Sequence, residues 1–546
     1  MKEKLVSIVS LIVLVALGII AFALTQLSTE SSYRFLLALY PLVVVLFGVA
    51  LLRQSGLTMS FAGLVLTIVL AVFPFETPID VVFGASMVGF LKSFGISISV
   101  AATMLMIFLM KEVGALDTVS KVIKQQVVGD EVRALYVGIG FGSFLTSLGV
   151  VTPALFPPLL ITMGFAPSSA VAIAVLGYDP TTSFSLLSIP ITLPAEASFR
   201  LIGVAINPVA FAFKIALFLP LVSTGFAFAI LWLTGGKQSM RKGAVPAVIC
   251  GLALALACLG TVALDYFTGV EYVPLRIVGV IAGLCAMVSV YLYQKLSKTK
   301  VKQEIANYPS RREVWRAFSP WISLTVLAVV VSVPLVGNWL SNVLAGWEKI
   351  AVPGGETVDL NVLSQIYTWI FVAVLLSLLT LKPTRKQVKD AFIVWAKRFP
   401  GPFLAFVLYF CMAYVMSYSP MNVVLGTTLA SVFGAGYIFV AASLGLFGAI
   451  VGGSETTSNV LFMKIQKTAS DSVGLGEAGF MTVYGSHAVA GGIASAVTPA
   501  KINNAVATID AEKGTESLIM RKHLIVAVLL TIGTGILTGV LVNIGI

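Results

Sequence analysis

The sequence predicts an all-α polytopic membrane protein made of two repeats, expected to be inverted, with broken or re-entrant helices at mid-membrane. Three observations predict it. Of the 546 residues, 58% are hydrophobic and 11% are charged, and the mean hydropathy is +1.00; a soluble chain carries about 25% charged residues. Ten-residue segments of alternating hydropathy, the mark of an outer-membrane barrel, are absent from the sequence. Two apolar regions, one per half, are interrupted by similar phrases, Gly177-Tyr178-Asp179-Pro180-Thr181-Thr182-Ser183 and Gly453-Ser454-Glu455-Thr456-Thr457-Ser458-Asn459. An ionised side chain is expensive in hydrocarbon unless protein or water surrounds it. Paired polar interruptions of hydrophobic segments, one per half, point to a transporter's binding site.

Taken in order, the first apolar run, residues 5–24, follows Lys2 and Lys4 and has no small-residue cleavage site, so it reads as a first helix rather than a signal peptide. Runs at 35–52, 59–75 and 94–110 are long enough to span. A mixed stretch, 111–133, leads into a region broken by Gly, Ser and Pro, 134–194, whose runs are mostly too short to cross alone. Short broken helices are tolerated at that depth only against protein. Spans at 209–233, 243–267 and 275–292 complete the first half, residues 1–293. A basic linker, 294–318, separates it from the second half, 319–546. That half has spans at 321–340 and 362–381, a basic amphipathic stretch at 382–398, a second broken region at 402–507 and a closing span at 524–544.

The charges fix an orientation in the cell membrane. Lys237, Arg241 and Lys242, the linker and the 382–398 stretch are basic and belong inside, whereas Asp265, Glu271, Glu348, Glu356 and Asp359 belong outside. The net charge of +11 therefore reflects cytoplasmic loops rather than a nucleic-acid partner. Cys250, Cys258, Cys285 and Cys411 lie in apolar runs without metal-ligand spacing and read as buried small hydrophobes. With two histidines far apart, no His-x-x-x-His and no phosphate-binding Gly-rich loop, the chain reads as neither an intramembrane enzyme nor an ATP-driven pump. No cofactor is expected. Gly138-Ile139-Gly140-Phe141-Gly142-Ser143 has no strand before it and reads as a site of close helix packing.

Asp179-Pro180-Thr181 has the form of a helix start, with Asp as N-cap and Pro at the first helical position. Ser454-Glu455 has the same form, with Ser as cap and Glu in the first turn. A helix beginning at mid-membrane aims free N–H groups and a partial positive charge at whatever lies ahead, which suits a small carboxylate substrate. The substrate-binding candidates are thus Asp179, Thr181, Thr182, Ser183, Ser454, Glu455, Thr456, Thr457, Ser458 and Asn459, joined by Lys214 and Lys501 as cations within apolar segments. The candidates for the coupling ion are Asp179, Glu455 and His487, whose imidazole suits proton relay; Asn422, Ser495 and Thr498 are candidates to line a polar cavity. A carboxylate at a helix N-terminus is favoured when ionised, which leaves Na⁺ open beside H⁺, and pore-lining hydroxyls leave a channel open. The expected partners are the substrate and the lipid bilayer, with a homodimer left open.

The chain resembles the L-lactate permease family. Gly453-Ser454-Glu455-Thr456-Thr457-Ser458-Asn459-Val460-Leu461-Phe462 is similar to the family's Gly-Ser-Asp-Thr-Ser-Ser-Asn-x-Leu-Phe. Gly164-Phe165-Ala166-Pro167 and Ile189-Pro190-Ile191 are similar to its Leu-Gly-Phe-x-Pro and Gly-Ile-Pro-Ile segments, and Thr498-Pro499 to its late Ser-Pro. Three places depart. The family's Phe-x-Glu-Gly reads Phe144-Leu145-Thr146-Ser147, its Asn-Thr before Ala-Pro reads Tyr178-Asp179, and its late Gly-Lys reads Ala494-Ser495. The resemblance implies symport of lactate or a related 2-hydroxymonocarboxylate with H⁺, which puts H⁺ ahead of Na⁺ as the coupling ion.

Overall fold

The computed structural model describes residues 31–50, 52, 54–149, 156–177, 179–297, 308–343, 349–354, 357–452, 454–506, 509 and 515–546. The expected first span at 5–24, the middle of the linker, Tyr178, Glu348, Glu356 and Gly453 lie outside the described residues. The chain begins with α1 (Ser31–Ala50), α2 (Gly56–Val72), α3 (Ile79–Lys92), α4 (Phe94–Glu112) and α5 (Ala115–Gln126). Next, α6 (Asp130–Leu135) runs through a π-helical turn, Tyr136–Phe141, into α7 (Gly142–Ser147). Then come α8 (Phe156–Thr162), α9 (Pro167–Leu176), the 3₁₀ turns Thr182–Phe184 and Leu186–Ser188, α10 (Ile189–Ile202), α11 (Pro208–Ala216), α12 (Leu219–Lys242), α13 (Ala244–Thr268) and α14 (Leu275–Leu296). The second half has α15 (Arg311–Ser332), α16 (Pro334–Val343), a small hairpin of β1 (Lys349–Ala351) and β2 (Thr357–Asp359), α17 (Ile366–Leu381) and α18 (Arg385–Arg398). It ends with α19 (Pro400–Tyr418), α20 (Met421–Phe433), α21 (Tyr437–Gly452), α22 (Glu455–Ser472), α23 (Glu477–Ala494), α24 (Pro499–Val506) and α25 (Thr515–Asn543).

Among the described residues, eight helices are long and apolar enough to cross a membrane. The fold class read from the sequence is therefore the observed one, an all-α polytopic membrane protein. Boundaries differ where proline intervenes. The expected span at 209–233 is two helices, α11 and α12, with Pro220 in the first turn of the second, where a missing N–H costs nothing. The span expected at 321–340 starts earlier, at a capping box in which Ser310 accepts from the Glu313 N–H and Glu313 accepts from the Ser310 N–H. It stops at Val333, held extended by Pro334. Helix α3, with Asp80 in its first turn and Lys92 in its last, was not expected.

Glycine brings the helices around the centre into backbone contact. The π-turn and α7 run antiparallel to α14, with Gly140 against Met287, Phe144 against Gly283 and Ser147 against Gly279. A β-carbon on Gly142 would stand 2.5 Å from the Gly177 carbonyl oxygen, so this crossing admits no side chain. The Gly138–Ser143 stretch thus serves close helix packing, as its composition predicts.

Candidate functional site

The second polar phrase lies at the turn of a helical hairpin. Tyr437 pairs with Gln466 and Gly448 faces Ser458 and Phe462, so α21 and α22 are antiparallel about that turn. α22 opens as expected: the Ser454 side chain accepts from the Thr457 N–H at 3.2 Å, and Glu455 occupies the first turn. α23 returns antiparallel to α22, its Tyr484 hydroxyl donating to the Asn459 carbonyl at 2.8 Å. This brings Gly491 and Gly492 against Glu455. A β-carbon on Gly492 would stand 2.7 Å from Thr182 Cβ and 2.9 Å from Glu455 Oε2. Bare backbone is what lets both phrases reach the same point.

The first phrase departs from expectation. Asp179 does not cap an α-helix; residues 179–188 form two 3₁₀ turns, and α10 begins only at Ile189. The Asp179 carboxylate is turned instead towards the other half of the chain, Oδ1 lying 3.6 Å from Lys501 Nζ with Ser495 as a further hydrogen-bond partner. An ammonium partner in a buried setting outweighs a helix cap, which is typically worth about 1 kcal/mol. The backbone that follows is unusual. Thr182, Leu186, Leu187 and Ser188 all have positive φ, between 44° and 58°, a left-handed conformation that costs a non-glycine residue about 1–3 kcal/mol.

These elements gather two carboxylates and one ammonium inside the protein. Ser183 Oγ donates to Glu455 Oε1, and Asn459, one turn along α22, is a further partner of Glu455. Asn459 Nδ2 also donates to the Pro190 carbonyl at 2.9 Å, tying α22 to the start of α10. Asp179 and Glu455 are 3% and 7% exposed. With all three groups ionised, the cluster carries one net negative charge. Asp179 Oδ2, the Thr181 and Thr182 hydroxyls and Asn459 Oδ1 are buried without a hydrogen-bond partner among the described residues. They are polar atoms available to a ligand, since such atoms are normally paired in protein interiors.

The other candidates divide. Thr456, Thr457 and Ser458 are buried along the first turn of α22. His487 lies about one turn of α23 from Gly491, with both ring nitrogens engaged. Tyr437 donates to Gln466 Oε1 at 2.5 Å, and Gln466 Nε2 donates to the Ala441 carbonyl at 3.1 Å and to His487 Nδ1 at 3.0 Å. His487 Nε2–H then points at Ser458 Oγ, 3.1 Å away, and Ser458 donates to the Gly445 carbonyl. Lys214 is not brought to the carboxylates: it packs at Gly485 and donates to the Ile546 carbonyl at 2.7 Å. Gly485 is six residues, or about 9 Å of helix, from Gly491. Ser495 reaches Asp179, while Thr498 turns back to the Ala494 carbonyl and Asn422 reaches the Leu461 carbonyl. Sequence reasoning missed Tyr484 and Gln466. The one available signal for Tyr484 was the polar run Tyr484-Gly485-Ser486-His487 inside an apolar helix.

A multi-pass membrane protein whose interrupted helices enclose charged groups within an apolar interior has the architecture of a permease. Residues 34–545 match the family model described as L-lactate permease, and the chain belongs to that family. It is 24% identical to the glycolate permease GlcA of Escherichia coli (strain K12), over 81% of this chain and 84% of that protein. It is also 24% identical to the L-lactate permease of Bacillus subtilis (strain 168), with the same coverage. The L-lactate permease of Salmonella typhimurium (strain LT2) is 21% identical over 92% of this chain and 95% of its own length. Family and spans together make this a multi-pass protein of the cell membrane.

Proposed function

We propose that this protein is a secondary transporter, not an enzyme, that carries lactate, glycolate or a related 2-hydroxymonocarboxylate across the cell membrane together with H⁺. The relatives' names supply the substrate class. The observation that carries the coupling is the composition of the site, two buried carboxylates, Asp179 and Glu455, facing one ammonium, Lys501, among the described residues. With all three ionised, adding a monocarboxylate without a cation would raise the buried charge from one negative to two, which the low-dielectric interior opposes. One H⁺ entering with one anion leaves the buried charge unchanged, so loaded and empty forms present the same electrostatic cost.

The geometry suggests how the two bind together. A proton on Asp179, at the unpartnered Oδ2, cancels the charge that holds Lys501. Lys501 is then released to pair with the substrate carboxylate, while Thr181, Thr182 and Asn459 offer hydrogen bonds to the carboxylate and the 2-hydroxyl. Glu455 stays bonded to Ser183 and joins the two halves. His487, engaged at both nitrogens, positions the α21–α22 hairpin rather than relaying protons. A Na⁺ reading has one observation in its favour: Asp179 Oδ2, the two threonine hydroxyls and Asn459 Oδ1 are hard oxygen donors of the kind such a cation takes. Proteoliposome uptake of lactate and glycolate, with pH and Na⁺ gradients imposed separately, tests both. Accumulation driven by the pH gradient alone is expected. Accumulation driven only by Na⁺ would replace H⁺ with Na⁺, and equilibration without accumulation under either gradient would refute coupled transport.

A further inference from the structure

Away from the central site, α18 carries two kinds of surface that conflict in any single solvent. One face is packed: Gln387 Nε2 donates to the Glu112 carbonyl at 2.9 Å, Trp395 Nε1 donates to the Ala101 carbonyl at 2.7 Å, and Ala391 is buried between them. The opposite face is open. Phe392 is 52% exposed, and Val388 and Ile393 are exposed beside it. On this same open side stand Arg385, Lys386, Lys389 and Lys397, all exposed. Water does not favour that apolar stripe, and hydrocarbon does not favour those charges. The boundary between headgroups and acyl chains accommodates both.

A second basic element adjoins it. Arg316 of α15 donates to the Leu381 carbonyl at 2.6 Å and the Thr380 carbonyl at 3.3 Å, capping the C-terminus of α17. This fastens the start of α15, with exposed Arg311, Arg312 and Trp315, beside Lys382 and the first turn of α18. Segments 311–316 and 382–398 hold nine cations and two carboxylates, Glu313 and Asp390. Glu313 is occupied by its own cap: the Ser310 N–H and hydroxyl both donate to it.

We propose that this surface, the open face of α18 with the start of α15, binds anionic phospholipid headgroups of the leaflet it faces. The cations contact lipid phosphates, and Val388, Phe392 and Ile393 enter the acyl boundary. Charge complementarity, combined with an apolar stripe that a soluble acidic partner would not need, selects this occupant. It is independent of the substrate or coupling ion, so it stands or falls separately from the transport reading.

The test uses the full-length protein in mild detergent, equilibrated with equal amounts of phosphatidylglycerol and phosphatidylcholine, stripped of free lipid and assayed for lipid retained. Phosphatidylglycerol is expected to be enriched over phosphatidylcholine, and 0.5 M salt should reduce the enrichment. Each basic side chain near an anionic surface is worth about a fivefold preference at low salt. Arg312→Gln/Lys386→Gln/Lys389→Gln should therefore lower the enrichment by at least about tenfold, allowing for screening. Lys237→Gln/Arg241→Gln, on another basic loop of the same side but without the apolar stripe, should lower it by less than any one of these three substitutions. If the triple variant does not fold, Lys389→Gln alone should lower the enrichment severalfold. Equal retention of both lipids by the unmodified protein would overturn the proposal. So would a preference that survives the substitutions, or one abolished by inorganic phosphate at matched ionic strength, which would mark a free-anion site, or by an acidic peptide, which would mark a protein surface.

Discussion

Asp179→Asn tests the proposed coupling most directly, because it fixes the carboxyl in the uncharged form that a bound proton would create. Asp179 Oδ1 lies 3.6 Å from Lys501 Nζ. At an effective dielectric constant of about 20, charges at that distance attract by about 4–5 kcal/mol before desolvation is subtracted. Breaking a buried pair by removing one partner usually costs about 3–5 kcal/mol. Here Glu455 remains as a second countercharge for Lys501, so the loss belongs at the lower end, about 3 kcal/mol. That is also the free energy by which Asp179 competes with substrate for the ammonium, and it corresponds to up to about a hundredfold in affinity. In proteoliposomes, normalised to folded protein, the variant should lose accumulation driven by a pH gradient. It should retain exchange between equal pools of labelled and unlabelled substrate. Its exchange should also become insensitive to pH on the alkaline side, where the original protein slows as Asp179 ionises and reclaims Lys501. Accumulation at the normal level under a pH gradient would refute the assignment.

The two halves of this site were unequally legible in the sequence. Glu455 could be read both as a residue and as a structure, because its cap, Ser454, and its helix follow it within a few positions. Asp179 could be read only as a residue. Asp-Pro-Thr is locally a helix start, and the groups that overrule it, Lys501 and Ser495, come from the other half of the chain. The left-handed residues in the turns at 182–188 have no signature of their own in the sequence. Lys214 and Lys501 looked equivalent, each a cation in an apolar segment. Only tertiary placement separates the one at the Ile546 carbonyl from the one at the carboxylates. Helix α3 was missed for a simpler reason: at 14 residues it is too short to register as a span, although it continues almost directly into α4. The similarity of the two phrases is informative about proximity and misleading about form, since one opens a long α-helix and the other leads into short 3₁₀ turns.

Glu455→Gln keeps an acceptor for Ser183 and removes one buried charge; gradient-driven uptake should collapse while exchange persists, whereas a purely capping role predicts a stability loss of about 1 kcal/mol with coupling intact. Single cysteines at Arg312 and Lys386 should resist a membrane-impermeant thiol reagent applied to intact cells, and one at exposed Tyr272 should react; the reverse pattern would invert the orientation. Gly492→Ala examines the contact between the two phrases without removing any charge. The added methyl would stand 2.7 Å from Thr182 Cβ and 2.9 Å from Glu455 Oε2, closer than real β-carbons approach other atoms. Relief requires Thr182 and the Glu455 carboxylate to draw back from α23, and overpacking of this kind costs about 1–3 kcal/mol. Because the strain falls on the site itself, driven uptake should fall further than the yield of folded protein does. Gly260→Ala is the control, since a β-carbon there meets nothing within 4 Å. If both alanine variants transport normally at equal yield, Thr182 and Glu455 do not depend on bare backbone at Gly492, and the two phrases do not meet there.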